Sequence, residues 1–513
     1  MYTAQKLRWF PVMYFVLLFL SALPLPAQKP DWAKVHTVTI SSIESLYNLN
    51  FEEAEVRANE VINLAPQDPR GYFFRAMTYY YRLFYSRTSR LPQQEIDAEL
   101  QKFLGYSQQT ILLCERFVAQ NPQDSKALFY LGGLYGYRGI ALGMSGKMSN
   151  MLTAAREAKK GVDFLKQAVA LDPANADAQM GLGLFNYLIS QAPSAVQTVI
   201  KLAGLSGNKN DGLRQLEYAA TNGVYARAEA QSWLAQIYSS GFIFPGEGLY
   251  DRAERHFTAF LALYPRNTLI RVLYGEMLAD EMRRASEAVV QFREAANDKG
   301  KKVERFAAAS FVDLGNAYLL LTNFTGSISA FQRALEMRPE WLSLNYGIGL
   351  CLELQGNRAS ALPFYAKATG HKGAEKLIAT PLSEKTIQLY KCEWAFKSGD
   401  DGKAISLISD CLKRSDLTSE ERAETLYFGG RALASNGDTK LAEGYYAQAI
   451  ALLDEKHELK APLYYYLGLV QAKNGKMPDA IGSLKQALSF NNYPNEQALR
   501  KSIERDLYRL KRS

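Results

Sequence analysis

Apolar and small positions recur with a fixed spacing in the third quarter of the chain, between Phe311 and Thr369. Within this stretch, apolar residues lie three, four and seven positions apart, which is the spacing of one face of an α-helix. Three pairs of matching positions are each 34 residues apart: Gly315 and Gly349, Phe331 and Tyr365, and Ala334 and Ala368. A shared period of this length predicts a structural repeat.

A short polar segment divides each period into two predicted helices. Thr322 and Asn323 form one such break, and Gln355, Gly356 and Asn357 form the next. A proline near the end of the period stops the second helix, because it disfavours helical backbone at the residue before it. The small residues allow two helices to approach closely, and the aromatic residues fill the space between one hairpin and the next.

The same order of signals extends into the first half of the chain. Five prolines are each followed ten residues later by a small residue: Pro66 and Ala76, Pro122 and Gly132, Pro173 and Gly183, Pro265 and Gly275, and Pro339 and Gly349. This pattern resembles the tetratricopeptide repeat over most of the chain. The resemblance implies an all-α solenoid of αα-hairpins wound as a right-handed superhelix. We expect about eleven helix pairs by this periodicity.

The repeats are irregular in the first half of the chain and regular in the second. We expect an irregular solenoid over residues 28–264, with insertions at 87–94 and 193–212, and a regular array over residues 265–493. Residues 494–513 then form a polar helix that caps the stack, because the last repeat of a solenoid needs a polar outer face.

A second, narrower resemblance lies within the irregular half. Gly181–Tyr187, Leu202–Asn208 and Gly212–Leu216 carry it. Over about Ala174–Tyr238 the sequence is similar to the tetratricopeptide-repeat protein 39 family. Asn208-Lys209 stands where the family is expected to have an acidic–basic pair after the glycine. We take this resemblance to imply shared architecture alone.

The N-terminus has the order of a secretory signal peptide. Lys6 and Arg8 precede the apolar run Val12–Leu20, and a segment ending at Ala27 breaks that run. The run is shorter than the roughly 20 residues that cross a membrane. We expect residues 1–27 to be removed, which implies export to the bacterial periplasm or to the periplasmic face of a membrane. Retention of this segment as a membrane anchor is the alternative.

The charge of the chain excludes some partners and leaves another open. The sequence has 60 Lys and Arg against 52 Asp and Glu, a formal net charge of +8, and the two signs alternate over most of its length. A nucleic-acid-binding protein would carry a dense basic stripe, so we expect no nucleic-acid partner. Basic residues do cluster over Arg500–Arg512, either as a solvated face or as a contact with acidic lipid headgroups. The second interpretation gives an alternative function, that of a membrane-associated envelope-assembly or lipid-related factor.

No group of residues in the sequence has the spacing of a catalytic, cofactor or metal site. The four histidines are far apart, and none has a His or Cys partner three or four positions away. We therefore expect no enzymatic activity and no cofactor. Cys392 and Cys411 face each other across one predicted hairpin, and they are either buried thiols or, in an exported protein, a disulfide.

The binding surface is expected on the concave face, which the first helix of each repeat lines in the tetratricopeptide family. The resemblance maps an aromatic, Met-containing stripe with basic edges onto the first half of the chain: Arg70, Phe73, Met77, Tyr80, Tyr81, Lys126, Phe129, Tyr137, Met180, Leu184 and Tyr187. Aromatic and Met side chains supply adaptable contact area, and Arg or Lys binds carboxylates. We expect a protein or peptide partner in this groove. Alternatively, these side chains pack against the two insertions.

Overall fold

The computed structural model describes residues 29–88, 92–145, 148–192, 197, 200, 204–239, 246–297, 304–490 and 497–512. Residues 1–28, on which the signal-peptide prediction falls, lie outside this part. The described residues form 24 α-helices and no strand. In chain order they are α1 (Trp32–Tyr47), α2 (Phe51–Leu64), α3 (Pro69–Thr88), α4 (Gln93–Gln120), α5 (Ser125–Gly143), α6 (Met148–Leu171), α7 (Ala176–Ser190), α8 (Lys209–Asn222), α9 (Arg227–Tyr238), α10 (Tyr250–Leu263), α11 (Thr268–Glu276), α12 (Ala285–Asn297), α13 (Glu304–Leu320), α14 (Phe324–Met337), α15 (Leu344–Leu354), α16 (Arg358–Lys367), α17 (Lys372–Ala379), α18 (Glu384–Ser398), α19 (Asp401–Leu412), α20 (Ser419–Ser435), α21 (Thr439–Leu452), α22 (Lys460–Lys473), α23 (Met477–Phe490) and α24 (Gln497–Leu510).

The helices pack as antiparallel hairpins of consecutive elements. Within the described residues there are eleven such pairs: α1/α2, α3/α4, α5/α6, α7/α8, α9/α10, α11/α12, α13/α14, α15/α16, α18/α19, α20/α21 and α22/α23. The short helix α17 lies between two pairs, and α24 packs on the last one. This arrangement confirms the predicted all-α hairpin solenoid with its capping helix. No helix of the described part is both long and apolar enough to cross a membrane.

Aromatic side chains hold neighbouring hairpins together, as the 34-residue period predicted. Phe331 is buried on α14, between one glycine of its own hairpin and one of the next. A Cβ atom at Gly315 would lie 2.5 Å from the Phe331 ring, and one at Gly347 would lie 2.8 Å from it. Tyr365 is buried against Gly349 in the same way one repeat later. The small residues therefore provide the space that each aromatic wedge fills.

The first half of the chain winds so tightly that its beginning contacts its end. The Tyr47 hydroxyl on α1 donates to Glu229 on α9 at 2.8 Å, and Asn267 donates to the Tyr47 carbonyl at 2.6 Å. These contacts join positions 182 and 220 residues apart. A continuous core runs from Ile43 to Ala334 and crosses the boundary expected between residues 264 and 265.

Candidate functional site

The stripe predicted to line the N-terminal groove is mostly an interior surface. Eight of its side chains are buried: Phe73, Met77, Tyr80, Phe129, Tyr137, Met180, Leu184 and Tyr187. Arg70 and Tyr81 are half-buried, and Lys126 is exposed. The eight share one core with α9, whose Ala228, Trp233 and Ile237 are also buried. The expectation of an open groove was wrong, because these side chains are buried and this aromatic area is removed from water.

Glu229 is the polar centre of this interior. The hydroxyls of Tyr47 and Tyr81 and the indole nitrogen of Trp233 all donate to its carboxylate. Complete burial raises the pKa of Glu229 to about 7, although the hydrogen bonds from Tyr47 and Trp233 lower it in part. A second buried acid, Asp177 on α7, accepts the backbone N–H groups of residues 224–226 just before α9. Both acids fix the position of α9, and neither faces an open surface.

An open cavity of about 540 Å³ lies instead in the second half of the chain. Its volume is within the range of ligand sites in proteins. Helices α20 and α22 and the capping helix α24 supply most of its walls, together with the loop before α12. The lining residues are Arg283, Arg431, Ala434, Ser435, Tyr446, Tyr466, Leu469, Val470, Ala472, Lys473, Met477, Asp506, Arg509 and Leu510.

Arg431 on α20 is held in this cavity by aromatic rings. Its guanidinium carbon lies 4.5 Å from the ring centre of Tyr466, 5.0 Å from that of Phe396 and 5.8 Å from that of Tyr427. One guanidinium nitrogen donates to the Tyr427 hydroxyl at 3.4 Å. No ion pair among the described residues involves Arg431. Stacking fixes the plane of the guanidinium while leaving its charge uncompensated.

Arg283 reaches the same cavity from a distant repeat. It follows a π-helical turn, Met277–Glu281, and its backbone has a φ of 55°, in the left-handed region. Its guanidinium forms an ion pair with Asp401 at 2.6 Å and lies 4.4 Å from the Phe396 ring centre. A Cβ atom at Gly399 would overlap the Arg283 carbonyl oxygen, so this approach requires glycine there.

The cavity also contains the hydroxyls of Ser435, Tyr446 and Tyr466, two further cations and the carboxylate of Asp506. The hydroxyl of buried Tyr446 has no hydrogen-bond partner in the described part of the chain. Burial raises the pKa of Tyr446 even beside Arg431, so this hydroxyl keeps its proton. Lys473 is exposed at the rim, and Arg509 lies 3.3 Å from Asp506, which also accepts from Tyr465 at 2.9 Å.

Three acidic side chains, Glu276, Asp280 and Asp313, interact with one another in the middle of the chain. Burial raises the pKa of Glu276 to about 7, with a further contribution from Asp280. Burial and the charges of Glu276 and Asp280 also raise the pKa of Asp313 to about 7. In the described residues, no group of three or more His, Cys, Asp or Glu side chains could hold a metal ion.

All four cysteines are buried free thiols. The thiols of Cys392 and Cys411 are neighbours joined by a hydrogen bond, as expected for two residues that face each other across one hairpin. The structure therefore has the thiol form of this pair. Burial raises the pKa of Cys392 to about 12, which suppresses the reactive thiolate.

Sequence reasoning did not identify the cavity residues. Arg283 and Arg431 are 148 positions apart and come together through the closure of the solenoid, which no local pattern reports. Only one polar departure from a regular pattern was visible, the arginine pair at positions 283 and 284 between two helices.

Comparison with known proteins supports the repeat assignment in two parts of the chain. Residues 139–346 match the family model described as Iml2/Tetratricopeptide repeat protein 39, a wider range than the sequence resemblance indicated. Residues 427–496, which include most of the cavity, match a tetratricopeptide-repeat model.

Solved structures of low identity resemble the chain as well. Yeast Tom70 has 14% identity and a TM-score of 0.26, with 94% of this chain and 96% of that chain covered. Cut9, from the APC/C hetero-tetramer Cut9-Hcn1, has 15% identity and a TM-score of 0.23, with 96% and 98% covered. YrrB, described as a TPR protein with an unusual peptide-binding site, has 15% identity and a TM-score of 0.22, with 42% and 97% covered. From its hairpins, its period and the two family models, we conclude that the chain is a tetratricopeptide-repeat protein.

Proposed function

We propose that the chain is an exported, non-catalytic scaffold that binds a protein or peptide partner through the inner surface of its C-terminal repeats. The observation that carries this proposal is the cavity around Arg431, an open, aromatic-lined site on the helices that form the inner face. Tetratricopeptide-repeat proteins commonly bind peptide or protein partners and are generally non-enzymatic.

The position of the site follows from a contrast between the two halves of the chain. The aromatic side chains of the stripe in the first half are buried, so a partner could reach them only if the neighbouring helices moved. The cavity of the second half is open and needs no such displacement. Its lining residues are a mixture of aromatic, aliphatic and charged side chains. Such a mixture is typical of sites that bind a ligand in one defined orientation.

Export rests on the order of charged, apolar and small residues in the first 27 positions. The periplasm, or the periplasmic face of a bacterial membrane, is the proposed location. Intact-mass analysis of protein from the exporting host tests this, because cleavage after Ala27 leaves a chain that begins at Gln28. A mass that includes residues 1–27 would overturn cleavage.

The alternative of membrane contact through the basic C-terminal helix has weaker support. Lys501 and Arg505 on α24 contact Glu247, and Arg500 is paired with Glu504 at 3.0 Å. These internal partners leave less free positive charge for lipid headgroups. Release of the mature chain from membranes by salt alone would favour the scaffold.

Binding is tested by screening the mature chain against an array of synthetic peptides and repeating the screen with variants. Lys473→Gln changes the rim of the cavity, and Lys126→Gln changes an exposed lysine beside the covered N-terminal stripe. We expect the first variant to reduce binding to the positive peptides and the second to leave it unchanged. The opposite result would place the site in the first half of the chain.

A further inference from the structure

Two of the four cysteines are neighbours in space. Cys392 lies on α18 and Cys411 on α19, and the two helices form one hairpin. Their thiols are joined by a hydrogen bond. The thiol of Cys351 instead contacts the Ser327 hydroxyl, at 3.5 Å. Two thiols in direct contact have the arrangement from which an intramolecular disulfide forms.

The packing around this thiol pair suits a cross-link. Both side chains are buried in a small cluster between α18, α19 and the next helix, α20. Three other members of that cluster are alanines, Ala395, Ala404 and Ala432. Small side chains let helices approach closely, and a disulfide needs such an approach, because its two Cα atoms lie about 4.4–6.8 Å apart. The alanines therefore favour the geometry that a bond between Cys392 and Cys411 requires.

The two thiols differ in how readily they ionise. Burial, with a further contribution from Cys411, raises the pKa of Cys392 to about 12. Burial also raises the pKa of Cys411, but the hydrogen bond from Cys392 lowers it in part. The positive charges of Arg414 and Arg422 lower the pKa of Cys411 as well. Arg422 is held near it by hydrogen bonds to the carbonyls of Leu412 at 2.9 Å and Arg414 at 2.6 Å. Cys411 is therefore the sulfur that forms the attacking thiolate more readily.

We propose that Cys392 and Cys411 form a disulfide in the exported chain, with a small-molecule or protein disulfide as the oxidant. This inference rests on the exported location in the proposed function. The Cys411 thiolate attacks one sulfur of the oxidant's disulfide, that bond breaks, and a mixed disulfide forms as one thiol of the oxidant leaves. The Cys392 thiol then loses its proton and attacks the sulfur of Cys411, and the second thiol of the oxidant leaves. Two electrons and two protons thus pass from the cysteines to the oxidant.

Burial determines when this exchange takes place. Neither sulfur is exposed in the folded hairpin, so an oxidant reaches the pair before the hairpin closes or while it is transiently open. Once formed, the bond is shielded from external thiols by the same packing. The loop that it closes contains Phe396 and Asp401, which are both partners of Arg283. The disulfide therefore braces the hairpin that joins the middle of the chain to its C-terminal repeats.

A count of free thiols in the purified chain tests the inference. The chain is equilibrated in dilute urea with about ten parts of reduced to one part of oxidised glutathione, quenched with acid, unfolded and alkylated with N-ethylmaleimide. Of the four cysteines, we expect two to carry maleimide, and all four after reduction, because a structural disulfide withstands the glutathione pool. Peptide mass spectrometry should find the segments that contain Cys392 and Cys411 joined. Four maleimides at every glutathione ratio, or glutathione adducts in place of the cross-link, would overturn the inference.

Matched variants assign the result to this pair. Cys411→Ser should carry three maleimides under all conditions. Cys351→Ser also removes a buried thiol but leaves the pair, so it should carry one maleimide when oxidised and three after reduction. Circular dichroism shows whether each variant is folded, and the wild-type count stands without them. A single maleimide on oxidised Cys411→Ser would mean that another pair forms the bond, and would overturn the assignment.

Hydrogen exchange measures the effect of the bond on the hairpin. Exchange in α18 and α19 should slow at least about tenfold when the wild type or Cys351→Ser is oxidised, because a cross-link restricts the opened chain. Oxidation should leave exchange in Cys411→Ser unchanged. Equal exchange in oxidised and reduced wild type would overturn the bracing of this hairpin.

The same count in the native host separates the disulfide from export. Cells are quenched with acid and fractionated before alkylation. We expect two maleimides on the chain of the envelope fraction. Four on a chain in that fraction would overturn the disulfide and leave export intact. Four on a chain found only in the cytoplasm, with the cross-link formed in the purified protein, would overturn export and support the pairing.

Discussion

Glu247 and Lys501 form an ion pair across 254 residues of sequence, with 3.3 Å between carboxylate and ammonium. Tyr187 donates to the same carboxylate at 3.0 Å, and Arg505 donates to the Glu247 backbone carbonyl at 2.9 Å. Lys209 is a further ionic partner. Through this network the capping helix α24 joins the end of the repeat array to its middle, while its other face lines the cavity.

The charges of this pair respond differently to burial. Burial alone would raise the pKa of Glu247, but the hydrogen bond from Lys209 and the charges of Lys501 and Lys209 outweigh it and lower that pKa. Burial lowers the pKa of Lys501 and the positive Lys209 lowers it further, although the Glu247 carboxylate raises it in part. The carboxylate is therefore the firmly charged member of the network.

Reversal of the charge at Lys501 should loosen the contact between α24 and the segment around Glu247. In Lys501→Glu, repulsion from Glu247 replaces attraction, and we expect a local cost of about 1–3 kcal/mol, because Lys501 keeps a quarter of its surface exposed. Hydrogen exchange should rise over residues 246–249 and over α24, with little change in α13–α16. The control Lys511→Glu makes the same charge change at an exposed position. Equal exchange in both variants would show that the pair does not hold α24.

The buried Glu229 predicts a pH dependence of stability. Its folded-state pKa of about 7 lies above the ordinary value of 4.5, so the folded chain binds this proton more tightly than the unfolded chain. The stabilisation that this tighter proton binding gives the folded chain is fully present below pH 4.5. As the pH rises from 4.5 to 7 it is lost, and the free energy of unfolding falls by about 3 kcal/mol. Glu229→Gln removes the titration.

Urea unfolding at several pH values measures this effect. We expect Glu229→Gln to be more stable than the wild type at pH 8 and close to it at pH 4.5. The matched control Glu52→Gln, at an exposed carboxylate of α2, should follow the wild-type curve. A stability difference between Glu229→Gln and wild type that is the same at every pH would be inconsistent with a raised pKa.

Gly399 should be intolerant of a side chain. Its φ of 86° is left-handed, and a Cβ atom there would overlap the carbonyl of Arg283. We expect Gly399→Ala to cost about 1–3 kcal/mol and to displace Arg283 from Asp401. Gly437→Ala is the control, since Gly437 is also left-handed, with a φ of 96°, but has open space around it. Equal urea midpoints for the two variants would mean that the strain of the left-handed backbone alone, and not the contact with Arg283, accounts for the loss of stability.

Phe331 should act as a local wedge. Its replacement by alanine empties the space between Gly315 and Gly347, at a cost of about 3–5 kcal/mol. In a stack where each repeat contacts mainly its neighbours, the damage should stay near α13–α15. Hydrogen exchange by residue range tests this, with exposed Leu441→Ala as a control of small effect. A uniform rise over all repeats would contradict a local wedge.

The repeat period predicted the fold well because it reflects contacts between residues that are close in sequence. Gly315 and Phe331 belong to one hairpin, so their spacing in sequence reports their contact in space. The binding surface could not be predicted in this way. The burial of Phe129 and Tyr187 depends on how tightly the superhelix winds, and the meeting of Arg283 with Arg431 depends on contacts between distant repeats.

The site of partner binding is tested most directly by photo-crosslinking in the native host. A benzoylphenylalanine residue is placed at position 473, on the rim of the cavity, or at position 126, beside the covered N-terminal stripe; both lysines are exposed. We predict adducts with a partner from position 473 and none from position 126. Adducts from position 126 alone would contradict the C-terminal site.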